Sequence, residues 1–214
     1  MRIVISGTVG VGKSTTSEIL IKKLKEKGFK VNYLSEETVN SPYLKHFYSK
    51  PAEWAFVAQL DFLMERFKQW LIDEKERENS LEEIITVYDR HFIDDYIFAE
   101  LHSIKENISQ INSIVYQTVY KELLDKLVEK ETKPDFLFLL EADLDTIVER
   151  LNKRGREAET KTNTLYWKEL YDSYYLKPKF KHHFKKYSKK FIKIDTENKN
   201  PEQIVENIIS KMKL

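Results

Sequence analysis

The segment that most constrains this chain is Gly7-Thr8-Val9-Gly10-Val11-Gly12-Lys13-Ser14-Thr15, which meets the pattern G-x-x-x-x-G-K-[ST] through Gly7, Gly12, Lys13 and Ser14. A short apolar run, Arg2 to Ser6, precedes it. Apolar residues at helical spacing (Ile19, Leu20, Leu24) follow it as far as Gly28, a good helix stop. Glycines let the chain curl so that backbone N–H groups point inward at phosphate oxygens, and the following helix adds its positive N-terminal end. Lys13 is placed to reach β- and γ-phosphates and Ser14 to ligate Mg²⁺. The loop therefore implies a nucleoside triphosphate with Mg²⁺, bound by Gly7 to Thr15, without identifying the reaction.

The rest of the chain alternates strands and helices. Strands are expected at Lys30 to Ser35, Ile84 to Tyr88, Asp135 to Leu140 and Phe191 to Asp195. Helices are expected over Ala52 to Glu78, Phe92 to Lys105, Ser109 to Glu131, Leu144 to Lys153 and Thr162 to Tyr187, with a last one opened by Asn200 as N-cap and Pro201 at the first position. This order predicts an α/β fold of three layers, a five-stranded parallel sheet covered by helices on both faces. With 214 residues and no linker, repeat or composition shift, one domain spanning 1–214 is expected.

Ligands bind such sheets beyond the C-terminal strand ends. Gly7 to Thr15, Glu36, Asp89-Arg90 and Asp195 each directly follow a predicted strand, so one rim receives glycine-rich and charged residues. Glu36 is the best candidate for a general base, with Glu37 as its competitor. Asp89 is placed to hold Mg²⁺ with Ser14, and Arg90 to neutralise Glu36 or the acceptor. Arg150 and Arg154, four apart, share a helix face, and Arg156 follows Gly155. Clustered guanidiniums suit phosphate oxygens, although Glu157 and Glu159 stand close enough in sequence to pair with them. In the long helix, Trp54, Phe56, Phe62, Phe67 and Trp70 read as core, whereas Gln59 offers the donor and acceptor that an amide-reading nucleobase site needs.

Several classes are disfavoured. No N-K-x-D segment follows a strand, which argues against a guanine-specific switch. There are no cysteines, hence no disulfide and no Cys-based zinc site or thiol catalysis, and the five histidines show no metal-ligand spacing. A net charge of +1 gives no global case for nucleic acid or membrane, and no apolar stretch approaches the roughly 18 residues of a membrane helix. A cytoplasmic protein is the expectation, since the N-terminus reads as a first strand.

Taken in order, the residues resemble the deoxyribonucleoside kinases, the group of deoxycytidine, deoxyguanosine and deoxyadenosine kinases. The loop is followed by Ser35-Glu36-Glu37, then Tyr48-Ser-Lys-Pro-Ala-Glu-Trp-Ala-Phe-Val-Ala-Gln59, Asp89-Arg90-His91, and Glu149 to Glu159 with its arginines. The resemblance implies a P-loop kinase fold with an arginine-rich lid at about 150–160. It implies Glu36 as base on the 5′-hydroxyl, Arg90 beside it, Tyr48 and Glu159 on the sugar 3′-hydroxyl, Gln59 on the base edge and Phe98 stacked on the base. Arg66 with Asp94 or Asp95 would complete base recognition; helical phase does not separate the two aspartates. Arg154 and Arg156 would clamp donor phosphates, Arg150 would lie by the donor adenine, and Asp195-Thr196-Glu197 would border it. The resemblance further implies ATP as donor, Mg²⁺, a homodimer and feedback by a deoxynucleoside triphosphate. His91 stands where the family has serine, and the stretch from Arg90 to Phe98 is one residue short. An Arg66–aspartate pair beside Gln59 suits bases with an exocyclic amino group, so deoxyadenosine is favoured, with deoxycytidine or deoxyguanosine close behind. The alternatives are a thymidylate kinase, which should show Arg-Glu-Pro-Gly where this chain has Ser-Glu-Glu-Thr, and a catalytically silent nucleotide sensor.

Overall fold

The computed structural model describes residues 1–35, 41–156, 159 and 162–214. Its sheet has five parallel strands in the order β2-β3-β1-β4-β5: β1 (Arg2–Ser6), β2 (Lys30–Leu34), β3 (Ile84–Asp89), β4 (Phe136–Glu141) and β5 (Lys190–Asp195). The three central strands are near-continuous runs of β-branched and large apolar residues, and nearly every residue in them is buried. That is the signature of a parallel sheet covered on both faces. The edge strands β2 and β5 carry Lys30, Asn32, Lys190 and Lys193, which keeps the edges polar. The five-stranded α/β expectation is met.

The covering helices are α1 (Lys13–Glu26), α2 (Leu44–Ser49), α3 (Pro51–Glu78), α4 (Asp95–Ile104), α5 (Gln110–Glu129), α6 (Leu144–Arg154), α7 (Thr164–Tyr175), α8 (Pro178–Lys186) and α9 (Pro201–Met212). Their starts reflect local chemistry. Ser109, Asp143 and Asn163 each accept an N–H of the first turn, and Asn200 with Gln203 forms a capping box before Pro201. Among the described residues no helix is long and apolar enough to cross a membrane.

Two expected helices differ. The stretch Thr162 to Tyr187 is not continuous: α7 ends at Tyr175 and α8 begins with Pro178 at its first position. Proline there has no N–H to give to the preceding turn, and its ring would strike a carbonyl of a continuous helix. The break lets α8 turn back so that Phe180 and Phe184 enter the core. The segment from Phe92 starts as a 3-10 turn, Phe92–Asp94, capped by the His91 imidazole, and becomes α-helical only at Asp95.

The order of strands places the site. From β1 the chain goes to the edge at β2, returns to β3 beside β1, and then crosses to β4 on β1's other side. The crevice at such a switch point lies above the C-terminal end of β1. The loop Gly7 to Thr15 leaves β1 there, and Asp89 and Arg90 leave β3 next to it, with Ile5 paired to Asp89.

Candidate active site

A cleft of about 1050 Å³ opens above these strand ends. That is slightly more than the roughly 300–1,000 Å³ of a site for one small ligand. It is lined by Val9 to Thr16 with Arg150, Arg154 and Arg156, and also by Tyr48, Gln59, Phe62, Arg66, Asp95 and Phe98, with Glu159 and Tyr166.

The loop owes its shape to its glycines. Gly7 has φ 142° and Gly10 φ 85°. A Cβ on Gly7 would stand 2.8 Å from Val11 Cγ1 and 2.9 Å from the Leu140 carbonyl; on Gly10 it would stand 2.9 Å from Leu151 Cγ of α6. Lys13 is buried and its Nζ donates to the Thr8 carbonyl at 3.1 Å. Gly7 and Thr8 support the loop from beneath and are not on the cleft wall.

Ser14 Oγ donates to Asp89 Oδ2 at 2.5 Å, and Tyr33 OH lies 3.5 Å from the same oxygen. A hydroxyl and a carboxylate are hard oxygen donors of the kind Mg²⁺ takes, usually one or two from protein with phosphates and waters completing the octahedron. Among the described residues no group of three or more acidic or histidine side chains forms a metal site alone. The donor set therefore fits a cation shared with a bound nucleotide.

From α6, Arg150 donates to the Val11 carbonyl at 3.1 Å and to Thr196 Oγ1 at 3.3 Å, bridging the loop and the end of β5. Arg154 grips Glu159 with both oxygens, at 2.6 and 3.0 Å, and Arg156 lies 3.6 Å from the same carboxylate. The anion that reconciles these guanidiniums is thus Glu159, one of the two glutamates the sequence offered.

The wall formed by Gln59, Phe62, Arg66, Asp95 and Phe98 rests on α3 and α4. Phe47 anchors α2 in a small apolar cluster with Ala55, Ala58 and Ile108, against which Tyr48 packs, and both Phe47 and Tyr48 line the cleft. Gln59 is 1% exposed, and among the described residues no hydrogen bond holds its amide. Phe62, one turn further along α3, also faces the cleft, whereas Phe67 and Trp70 are core as expected. Helical phase from Gln59 would have found Phe62. Arg66 lies over the Phe62 ring, 5.5 Å from its centroid, and forms an ion pair with Asp95.

The two aspartates have different surroundings. Asp95 is on the cleft wall with Arg66; Asp94 is not, and is fully enclosed. Asp94 Oδ1 accepts from Ser6 Oγ and from Tyr174 OH (3.2 Å), and Oδ2 accepts from the His91 N–H at 3.3 Å. His91 is enclosed as well. Its Nδ1 accepts from the Ile93 N–H at 3.2 Å, and burial drives its pKa down to about 3, so it is a neutral turn cap.

Arg90 is also fully buried, behind the wall. Its backbone is left-handed, with φ 70°, a strained conformation for arginine costing of order 1–3 kcal/mol. The bend turns its guanidinium back under the loop, where it donates to the Gly7 carbonyl (3.2 Å) and to Tyr174 OH. It lies 4.9 Å from the centroid of Phe98, whose ring forms part of the wall. Glu36 lies outside the described residues. Tyr166 was not anticipated: it follows no strand, and only the tertiary fold brings α7 over the cleft.

A sequence model of the deoxynucleoside kinase family matches residues 3–214. The chain is 36% identical over 175 residues to the deoxyadenosine/deoxycytidine kinase of Bacillus subtilis (strain 168), the match covering 80% of this chain and 74% of that protein. It is 33% identical over 172 residues to the deoxyguanosine kinase of the same organism, covering 80% and 75%. The structure of deoxyadenosine kinase from M. mycoides with bound dATP superposes with a TM-score of 0.79 at 27% identity, covering 100% of each chain. With a family model matching residues 3–214 and a relative 36% identical over 175 residues, the chain belongs to the deoxynucleoside kinase family.

Proposed function

We propose that this kinase transfers the γ-phosphoryl group of ATP to the 5′-hydroxyl of deoxyadenosine, with deoxycytidine as the next best acceptor. One observation carries the reading: a single cleft is lined both by the loop Val9 to Thr16 and by Gln59 with the Arg66–Asp95 pair. The amide of Gln59 can both donate to a ring nitrogen and accept from the neighbouring exocyclic amino group, and an Asp95 oxygen accepts a second amino proton. Guanine O6 and thymine O4 would put an acceptor against that carboxylate. The two relatives named above, a deoxyadenosine/deoxycytidine kinase and a deoxyguanosine kinase, bracket this choice.

In the proposed reaction the 5′-oxygen attacks the γ-phosphorus, the bond from γ-phosphorus to the β–γ bridging oxygen breaks, and ADP leaves. The 5′-hydroxyl proton goes to a carboxylate, for which Glu36, directly after Ser35 at the end of β2, is the candidate. Tyr48 and Glu159 hold the sugar 3′-hydroxyl and Phe98 stacks on the base. Lys13, the inward N–H groups of the loop, Arg154 and Arg156 take up phosphoryl charge, and Arg90 adds positive potential from beneath the acceptor. Ser14 and Asp89 would hold Mg²⁺, which when bound neutralises the polyphosphate. Because Glu159 pairs with Arg154, substrate entry exchanges that ion pair for contacts to the sugar and the phosphates. A homodimer working in the cytoplasm, with feedback by a deoxynucleoside triphosphate, completes the proposal.

The test is a coupled assay of ADP release with ATP and each of the four deoxynucleosides. The expected order is deoxyadenosine, then deoxycytidine, then deoxyguanosine, with thymidine last. Highest kcat/KM with thymidine or deoxyguanosine would overturn the base assignment. Absence of acceptor-dependent turnover would favour a nucleotide sensor.

A further inference from the structure

The helix after the lid ends in two consecutive tyrosines, and neither faces the cleft. Tyr174 is 1% exposed; its hydroxyl accepts from Arg90 and donates to Asp94 Oδ1 at 3.2 Å. Tyr175 OH accepts from the Thr8 N–H at 3.2 Å and donates to the Leu140 carbonyl at 2.8 Å. Burial pushes the Tyr175 phenol well above its ordinary range, so it remains a donor and acceptor at any working pH. The contacts converge on the junction of β1 and the phosphate loop: Ser6 is held through Asp94, the Gly7 carbonyl through Arg90, and the Thr8 N–H by Tyr175 directly.

We propose that Tyr174 and Tyr175 are positioning residues of the phosphoryl-transfer site, Tyr174 acting through Arg90 and Tyr175 through the backbone of the loop. The proposal rests on the role given above to Arg90 and to the loop. Packing alone does not need the hydroxyls, since phenylalanine fills the same space. Arg90, by contrast, has a strained backbone and a long side chain, and the partners that direct it include the Gly7 carbonyl, the Tyr174 hydroxyl, the Phe98 face and, at 4.0 Å, Asp94 Oδ1. A loop that must present N–H groups to phosphate likewise gains from an acceptor that fixes Thr8. Because both tyrosines sit at the end of the helix that follows the lid, a shift of α7 moves both supports together.

The experiment uses Tyr174→Phe and Tyr175→Phe in the full chain, with Arg90→Lys and the double variant Tyr174→Phe/Arg90→Lys. The readouts are kcat, KM for ATP, KM for deoxyadenosine and thermal unfolding. Tyr174→Phe should lower kcat about tenfold with KM for ATP within twofold, and should add little in the Arg90→Lys background. Tyr175→Phe should raise KM for ATP about fivefold and leave kcat within threefold. Both should unfold within a few degrees of the parent. Wild-type constants in the phenylalanine variants, or losses that only track lost folded protein, would overturn the proposal. So would an equal effect of Tyr174→Phe with and without Arg90→Lys. A crippled Arg90→Lys beside a normal Tyr174→Phe defeats the positioning role alone; a normal Arg90→Lys defeats the role of Arg90 and with it the support from Tyr174.

Discussion

Arg66 of α3 and Asp95 of α4 form an ion pair on the wall of the cleft, with side chains 8% and 1% exposed. Asp94, its neighbour in sequence, is tied to Ser6, Tyr174 and the His91 N–H instead. Removing one member of a buried pair typically costs about 3–5 kcal/mol. Asp95→Asn should therefore lower the unfolding temperature and cut kcat/KM for deoxyadenosine about a hundredfold, more than for deoxyguanosine. Asp94→Asn should lower kcat without changing the deoxyadenosine to deoxyguanosine ratio. A changed ratio in Asp94→Asn alone would reverse the assignment.

The glycines of the loop should not be equally replaceable. An alanine Cβ at position 7 meets the Leu140 carbonyl at 2.9 Å, and backbone cannot swing aside; at position 12 it meets no heavy atom within 4 Å, although φ is 104°. Gly12→Ala should cost only its backbone strain, about 1–2 kcal/mol. Gly7→Ala should cost about 2 kcal/mol more, or roughly 5 °C in unfolding temperature. Equal unfolding temperatures for the two variants would contradict the packing described for β1 and β4.

Stability should fall as pH drops below neutrality, before most carboxylates titrate. Burial lowers the pKa of His91 to about 3 and that of His102 and His183 to about 4. For each, the folded state refuses a proton that the unfolded chain takes up near pH 6.5. The stability these neutral rings confer is complete above that pH and is lost progressively down to about pH 4, or about pH 3 for His91. Each ring contributes up to about 1.4 kcal/mol per pH unit in that window. Denaturation midpoints at pH 7.5, 6.5 and 5.5 measure the slope, and His102→Asn should make it shallower. A slope that is flat above pH 5 would show that these rings are not held neutral.

Much of the site was legible in the sequence because it lies at strand ends. Strands announce themselves by β-branched runs, and in a parallel sheet the residues just past each strand fall on one rim; hence Ser14, Asp89 and the loop were found together. The features that were not legible depend on tertiary direction. Asp94 and Asp95 share one helical turn, and only the packing of α4 against α3 turns the second toward Arg66. The helix drawn through Pro178 ignored a missing N–H that the structure respects. Tyr166, Tyr174 and Tyr175 carry no local signal, because a tyrosine in an amphipathic helix looks the same whether its hydroxyl meets water, an arginine or a loop amide. Arg90 was placed at the strand end correctly, but its left-handed backbone, which sends the side chain under the loop, has no signature in residue type.

One helix contributes three residues to the cleft wall. Gln59, Phe62 and Arg66 lie along α3, and on the same helix Gln69 Nε2 donates to the Ser35 carbonyl at 2.7 Å, one residue before Glu36. From Gln59 to Gln69 the helix rises about 15 Å. A rod that carries Arg66 of the cleft wall and is tied by Gln69 to the residue just past β2 would, under the proposed function, work as a length gauge. On the proposed reading an acceptor would be measured as well as recognised: a molecule whose hydroxyl stands nearer to or farther from its base than in a nucleoside would satisfy one end of α3 and miss the other.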